Sequence, residues 1–163
     1  MSPESIPPPI LENARILEYA VIDESVKFTG QLILNVDGEW LGAVPGIALA
    51  ESFNNSELIA FHCDENWNVL GVQTWNSPDG PVLKSIADLK EKMEKYYCGI
   101  SELWVQHTAT AREALDLYEE SQRAHSCSFC GKTRDEIERL VSGPNANICS
   151  ECLRDFHNQI RDL

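Results

Sequence analysis

Two C-x2-C pairs, Cys127-Ser128-Phe129-Cys130 and Cys149-Ser150-Glu151-Cys152, lie eighteen residues apart near the C-terminal end of this 163-residue chain. Each C-x-x-C turn can aim two sulfurs at one point, and two such turns complete a tetrahedral thiolate cage suited to Zn²⁺. Four protein ligands leave no open coordination position for a water or a substrate. The spacing therefore predicts a structural metal held by Cys127, Cys130, Cys149 and Cys152, not a catalytic one. His125 and His157 flank the motif as alternative ligands, but four cysteines at matched spacing make them unnecessary.

The chain suits one domain of about 100–120 residues plus a small satellite. Its formal net charge of −13 is lopsided: residues 1–122 hold 20 Asp and Glu against 7 Lys and Arg, hence −13, whereas residues 123–163 hold 6 of each. Four thiolates and one Zn²⁺ would add a further −2. Such a surface repels phosphate backbones and anionic lipid and steers basic partners toward itself, although the bland reading is that it maintains solubility. The N-terminus carries Pro3, Pro7, Pro8 and Pro9 and no apolar stretch of signal-peptide length, and no run is long enough to span a membrane. A reducing, cytoplasmic compartment is expected, where paired C-x-x-C motifs mean metal more often than cystine.

Residues 1–9 read as a disordered leader. Apolar residues at Ile10, Leu11, Ala14, Ile16, Leu17, Ala20 and Val21 have helical spacing. Thr29 to Val36 reads as a strand returning at Glu39-Trp40-Leu41 through an Asp37-Gly38 turn. Residues 45–53 are strand or short helix; Glu57–Cys63 and Val69–Trp75 are strands; Ser77–Pro81 is a loop. Ser85 and Asp88 form a capping box for a helix to Tyr97, with Ile86, Leu89, Met93 and Tyr96 on one face. Glu102–His107 returns as a strand, and Thr110 and Glu113 open a second helix through about Glu120. The expected fold is α+β: a mainly antiparallel sheet with helices on one face, plus a small C-terminal treble-clef-like zinc finger. The domain plan is a leader at 1–9, an acidic α+β domain at 10–122, a linker at 123–126 and a four-cysteine zinc-binding domain at 127–163.

Within the finger, Gly131 permits a tight knuckle after Cys130, Thr133 and Glu136 cap a short helix to Val141, and Ser142-Gly143-Pro144-Asn145 turns the chain. Cys149 to Ile160 reads as a helix whose first turn supplies the last two ligands, so that its N–H groups face the sulfurs. The C-S-F-C-G-K knuckle, the R-L-V-S-G-P segment and the I-C-x-E-C opening of the last helix resemble the zinc-binding domain at the start of the ClpX unfoldase. That resemblance covers Cys127 to about Leu163 and implies zinc binding by the four cysteines, homodimerisation, and capture of protein substrates or adaptors. It does not imply ATPase activity, since the motif stands at the C-terminal end with no AAA+ motor after it. Gly131-Lys132-Thr133 mimics the end of a P-loop but lacks the first glycine, replaced by Ser126. A module this small buries too little surface to be comfortable alone, so part of the set Phe129, Ile137, Leu140, Val141, Ile148, Leu153, Phe156 and Ile160 is expected to face a second copy, a client or the N-terminal domain.

No catalytic or cofactor-binding residue is assigned. His62 and Cys63 would point to opposite faces of a strand and so could not easily share a proton; Cys63 and Cys98 read as buried small hydrophobes. Trp40, Trp67, Trp75 and Trp104 are expected in core or sheet-edge packing, with a partner-binding surface as the alternative. The carboxylates Asp64, Glu65, Asp79 and Asp88 read as a solvated acidic face. The sequence is thus read as a non-enzymatic zinc protein that binds protein clients or adaptors and homodimerises through its finger, with no nucleic-acid or membrane partner. The alternative is an immunity or inhibitor protein whose acidic domain binds a basic toxin or nucleic-acid enzyme. A nucleic-acid-binding finger would need more than Lys132, Arg134 and Arg139, which Asp135, Glu136 and Glu138 offset, and a thiol enzyme would need an activated Cys63 or Cys98.

Overall fold

A computed structural model describes residues 6–32, 34–74 and 85–161. The chain divides into two compact units, Met1–Ala114 and Leu115–Leu163. The first contains β1 (Ile10–Leu11), β2 (Ala14–Val21), β3 (Lys27–Phe28), β4 (Leu34–Val36), β5 (Glu39–Leu41), β6 (Gly46–Ser52), β7 (Leu58–Cys63) and β8 (Val69–Thr74). These are followed by α1 (Ile86–Tyr96), β9 (Tyr97–Cys98), a 3-10 turn at Ile100–Glu102, β10 (Val105–Gln106) and the start of α2 (Ala111–Ala124). The main sheet is antiparallel and curled, in the order β1-β2-β6-β7-β8, with β10 also pairing to β2.

The helix expected over Ile10–Val21 is instead the β1–β2 hairpin, turning at Glu12-Asn13 with Glu12 at φ 54°. A β-bulge explains the misleading spacing. Register slips between Ile16 and Glu18, so Leu17 is an extra residue and the side-chain alternation inverts. Ala14 and Ile16 before the bulge and Tyr19 and Val21 after it pack on one face, while Ala20 lies on the other. Inserting one residue into a period of two produces an apolar pattern that mimics a period near 3.6.

Both faces of the central strands are buried. Ile47 and Leu49 of β6 and Ala60 of β7 meet Leu89 and Met93 of α1, together with Tyr97 and Ile100. The opposite face collects Ala48, Ala50, Ile59, Phe61 and Cys63 under Trp67. Gly46 lets this packing close: a Cβ at that position would meet the Trp67 ring at 3.0 Å, and the ring would have to shift. The Ser85–Asp88 capping box is present, each side chain bonding the other's backbone N–H. Of the expected α1 face, Leu89 and Met93 are fully buried.

Within residues 45–53, Gly46–Ser52 form strand, and the Asp37-Gly38 turn joins β4 to β5 with φ of 52° and 89°, both in the left-handed region that this hairpin turn demands. Glu102–His107 is strand only at Val105–Gln106, because the 3-10 turn takes the preceding residues. Cys98 is a correction: it is exposed. Tyr97 occupies the inward position, and alternation turns the next side chain out. Trp75 and the Ser77–Pro81 loop lie outside the described residues. Part of the expected leader is structured: Pro7 is buried and its carbonyl accepts from His107 Nε2 at 2.8 Å, while Pro9 O accepts from Ile16 N. The Thr110–Glu113 box opens α2 as expected, but the helix runs through Arg123 and Ala124, where a linker was expected. No Gly or Pro between 111 and 126 stops it. Among the described residues no helix is long and apolar enough to cross a membrane.

Candidate metal centre

The second unit is built around sulfur. Cys127 N–H donates to Lys132 O and Gly131 N–H to Cys127 O, both at 2.9 Å, and Gly131 takes φ 74° to close this knuckle. A 3-10 turn follows at Arg134–Glu136, then β11 (Leu140–Ser142), β12 (Asn147–Cys149) and α3 (Ser150–Arg161). The helix expected from Thr133 to Val141 is therefore a single turn. Its capping box forms between Thr133 and Glu136, yet Ile137 is already extended and Leu140 pairs with Cys149 across a hairpin. Pairing with the strand that carries Cys149 outweighs a short helix that would have little to pack on. Gly143 N–H donates to Ala146 O within the expected turn.

Cys149 ends β12 and Cys152 lies in the first turn of α3. The four sulfurs of Cys127, Cys130, Cys149 and Cys152 all lie within 4.8 Å of one another. Cys127 Sγ and Cys152 Sγ are 3.9 Å apart, and Cys130 Sγ and Cys149 Sγ 3.7 Å apart. A regular tetrahedron with zinc–sulfur bonds of about 2.3 Å has sulfur–sulfur edges of about 3.8 Å. The separations fit that cage and are far too long for cystines, and all four thiols are free. The cluster is thus positioned to chelate a metal ion, consistent with Zn²⁺. Neither His125 nor His157 belongs to it; His125 Nδ1 bonds Ser121 O at 2.7 Å.

Electrostatics around the sulfurs also suit a cation. Desolvation pushes the Cys127 thiol up, but backbone N–H groups of Cys130, Cys149 and Phe129 outweigh it and bring the group down to about 6. Desolvation and the three neighbouring thiols push Cys152 up to about 12. Four adjacent sulfurs cannot all ionise without a positive charge among them. Cys152 N–H, in the first turn of α3, points at Cys149 Sγ at 3.4 Å, as expected for a thiolate at a helix N-terminus, whereas Cys149, expected in that helix, is the last residue of β12 and its N–H points at Cys127 Sγ at 3.3 Å. Lys132 pairs with Glu151 beside the cage, which takes its ammonium out of any P-loop role.

The sequence reading missed Asn147 and Ser128. Asn147 N–H donates to Ser128 Oγ, Ser128 N–H to Asn147 O, and the Asn147 amide to the carbonyls of Ala124 and Ser126. These bonds strap the knuckle to the hairpin and hold one cysteine pair against the other. Nothing in the sequence marks this asparagine apart from its place before I-C.

The other candidate residues are dispersed. His62 and Cys63 fall in opposite cores: the His62 ring lies 6.2 Å from that of Tyr97, while Cys63 belongs to the Trp67 cluster. Burial pushes the Cys63 thiol up to about 12, the reverse of an activated nucleophile. Asp64 accepts from the N–H groups of Asn66 and Asn68 to close a turn, and Asp88 is spent on its cap. Asp79 lies outside the described residues. Trp67 is core, whereas Trp40 is 71% exposed.

A family model of the ClpX C4-type zinc finger matches residues 125–162. A ClpX-type C4 zinc-finger domain, a non-catalytic module, is therefore present at the C-terminal end, and no AAA+ motor is detected. No solved structure matches the chain.

Proposed function

We propose that the protein is a non-catalytic, cytoplasmic interaction module. Cys127, Cys130, Cys149 and Cys152 together ligate one Zn²⁺, the finger dimerises and receives protein clients or adaptors, and the acidic domain at 10–122 supplies partner specificity. The observation that carries this reading is an apolar surface on a unit whose centre is occupied by sulfur. Leu153, Phe156 and Ile160 are exposed along α3, and Phe129 of the knuckle meets Phe156 edge-on with centroids 5.2 Å apart. No side chain of α3 is buried. A helix with such a stripe and no core of its own is suited to a second surface. The zinc has no open position when four thiolates hold it, so its role is to organise that surface. A finger with equal numbers of acidic and basic side chains beside a strongly acidic domain disfavours nucleic acid.

Sedimentation equilibrium of the zinc-loaded chain tests the reading. A dimer is expected, with Phe156→Asp shifting it to monomer while zinc content stays unchanged. Wild-type protein that remains monomeric and fails to bind a permanently unfolded probe protein would refute it. The charge asymmetry favours a second reading, an inhibitor of a basic protein, whose signature is association that weakens steeply with salt.

A further inference from the structure

We propose that the cleft on both sides of Trp40 is a docking site for a partner's peptide segment in which a lysine or arginine flanks an apolar side chain. This deepens the reading of the acidic domain as the part that selects partners, and rests on it.

Trp40 stands on β5, one residue beyond Glu39 and close to the Asp37-Gly38 turn, and is more exposed than Phe129 or Phe156 in the finger. A tryptophan offers a large apolar area with a polar N–H at its edge, which is why it is enriched at interfaces. Two cavities adjoin it. On one side a space of about 380 Å³ is bounded by Phe28, Gly30, Leu32, Trp40, Leu41 and Gly42. On the other a space of about 400 Å³ is bounded by Asp37, Glu39, Trp40, Leu41 and Leu70. Leu32 belongs to the α1-facing core and Phe28, Leu41 and Leu70 pack against it, so the cleft opens onto apolar packing.

The two sides differ in chemistry. The first is apolar, and its glycines leave the floor open: a Cβ on Gly30 or Gly42 would meet nothing within 4 Å. The second carries two carboxylates, and among the described residues neither Asp37 nor Glu39 has an ion pair. An apolar side chain fits the first space. An adjacent cation suits the second, which Asp37 and Glu39 border. The charge of residues 1–122 attracts the same class of segment from a distance.

The test uses the full zinc-loaded chain at low salt and fluorescence anisotropy of labelled Arg-Leu-Lys-Leu-Arg, with Glu-Leu-Glu-Leu-Glu as the matched acidic peptide. Wild type should bind the basic peptide only. Trp40→Ala, Glu39→Lys and Gly42→Val should each weaken it by about tenfold or more, the last by placing a branched side chain in the first space, where a Cβ meets nothing within 4 Å. Glu65→Lys makes the same charge change on the β7–β8 turn, at a residue that borders neither space, and should stay within about twofold. Basic-peptide binding that Trp40→Ala and Gly42→Val leave intact, or that both charge reversals weaken alike, overturns the site while leaving a partner-attracting acidic domain in place. Equal binding, or none, of the two peptides by wild type overturns both.

Discussion

His62 gives the first unit a specific acid sensitivity. Its side chain is fully buried on β7, and neither ring nitrogen closes a hydrogen bond of ordinary geometry. Desolvation lowers its pKa from 6.5 to about 4, with the Gln73 side chain opposing only part of the shift. The unfolded chain therefore takes up a proton near pH 6.5 that the folded chain refuses until about pH 4. Between those values the unfolded state binds more protons, so stability is complete above the window and declines as pH falls through it. With one pKa unit equivalent to about 1.4 kcal/mol, the linkage costs about 2 kcal/mol by about pH 5 and about 3 kcal/mol at the foot of the window. Urea unfolding followed by tryptophan fluorescence isolates this unit, because all four tryptophans lie before residue 115. Working at about pH 7.5 and about pH 5 stays above the ordinary carboxylate range, so acidic groups contribute little to the difference. His62→Leu changes the absolute stability through packing, but it should remove the difference between the two pH values. A variant that keeps the full wild-type loss on acidification would refute the reasoning, because the proton uptake would then belong to another group.

Removing zinc should melt the finger while sparing the sheet. Purified protein should contain about one zinc per chain, and a chelator or Cys130→Ser should abolish the ordered signals of 127–161 with little change in tryptophan emission, since site formation and folding are coupled in structural zinc modules. Metal-free protein with an intact finger spectrum would contradict this. Gly46→Ala should lower the stability of the first unit by about 1–3 kcal/mol, because the added methyl meets the ring of a tryptophan that is itself buried. An unchanged urea midpoint would mean that Trp67 yields freely.

Local signals account for what was legible in advance. The cysteine spacing, the Asp37-Gly38 turn and the capping boxes at Ser85, Thr110 and Thr133 depend on residues within a few positions of one another, and each is present where the sequence placed it. The four cysteine positions follow from the same logic, since each pair is a local turn and only the meeting of the pairs is long-range.

Tertiary structure decided what local chemistry left open. Residues 10–21 carry a pattern that satisfies a helix, and pairing with β6 across a bulge makes them strand. Thr133 starts a helix that Leu140 ends by joining the strand of Cys149. Which tryptophan is buried and which is bare, and which of His62 and Cys63 faces α1, depend on sheet register and on what lies across it. Propensity and spacing act over one or two turns of chain, whereas burial is a property of surfaces brought together from distant segments. Each cysteine pair could be written into a few adjacent residues; the faces that the finger and the sheet present could not.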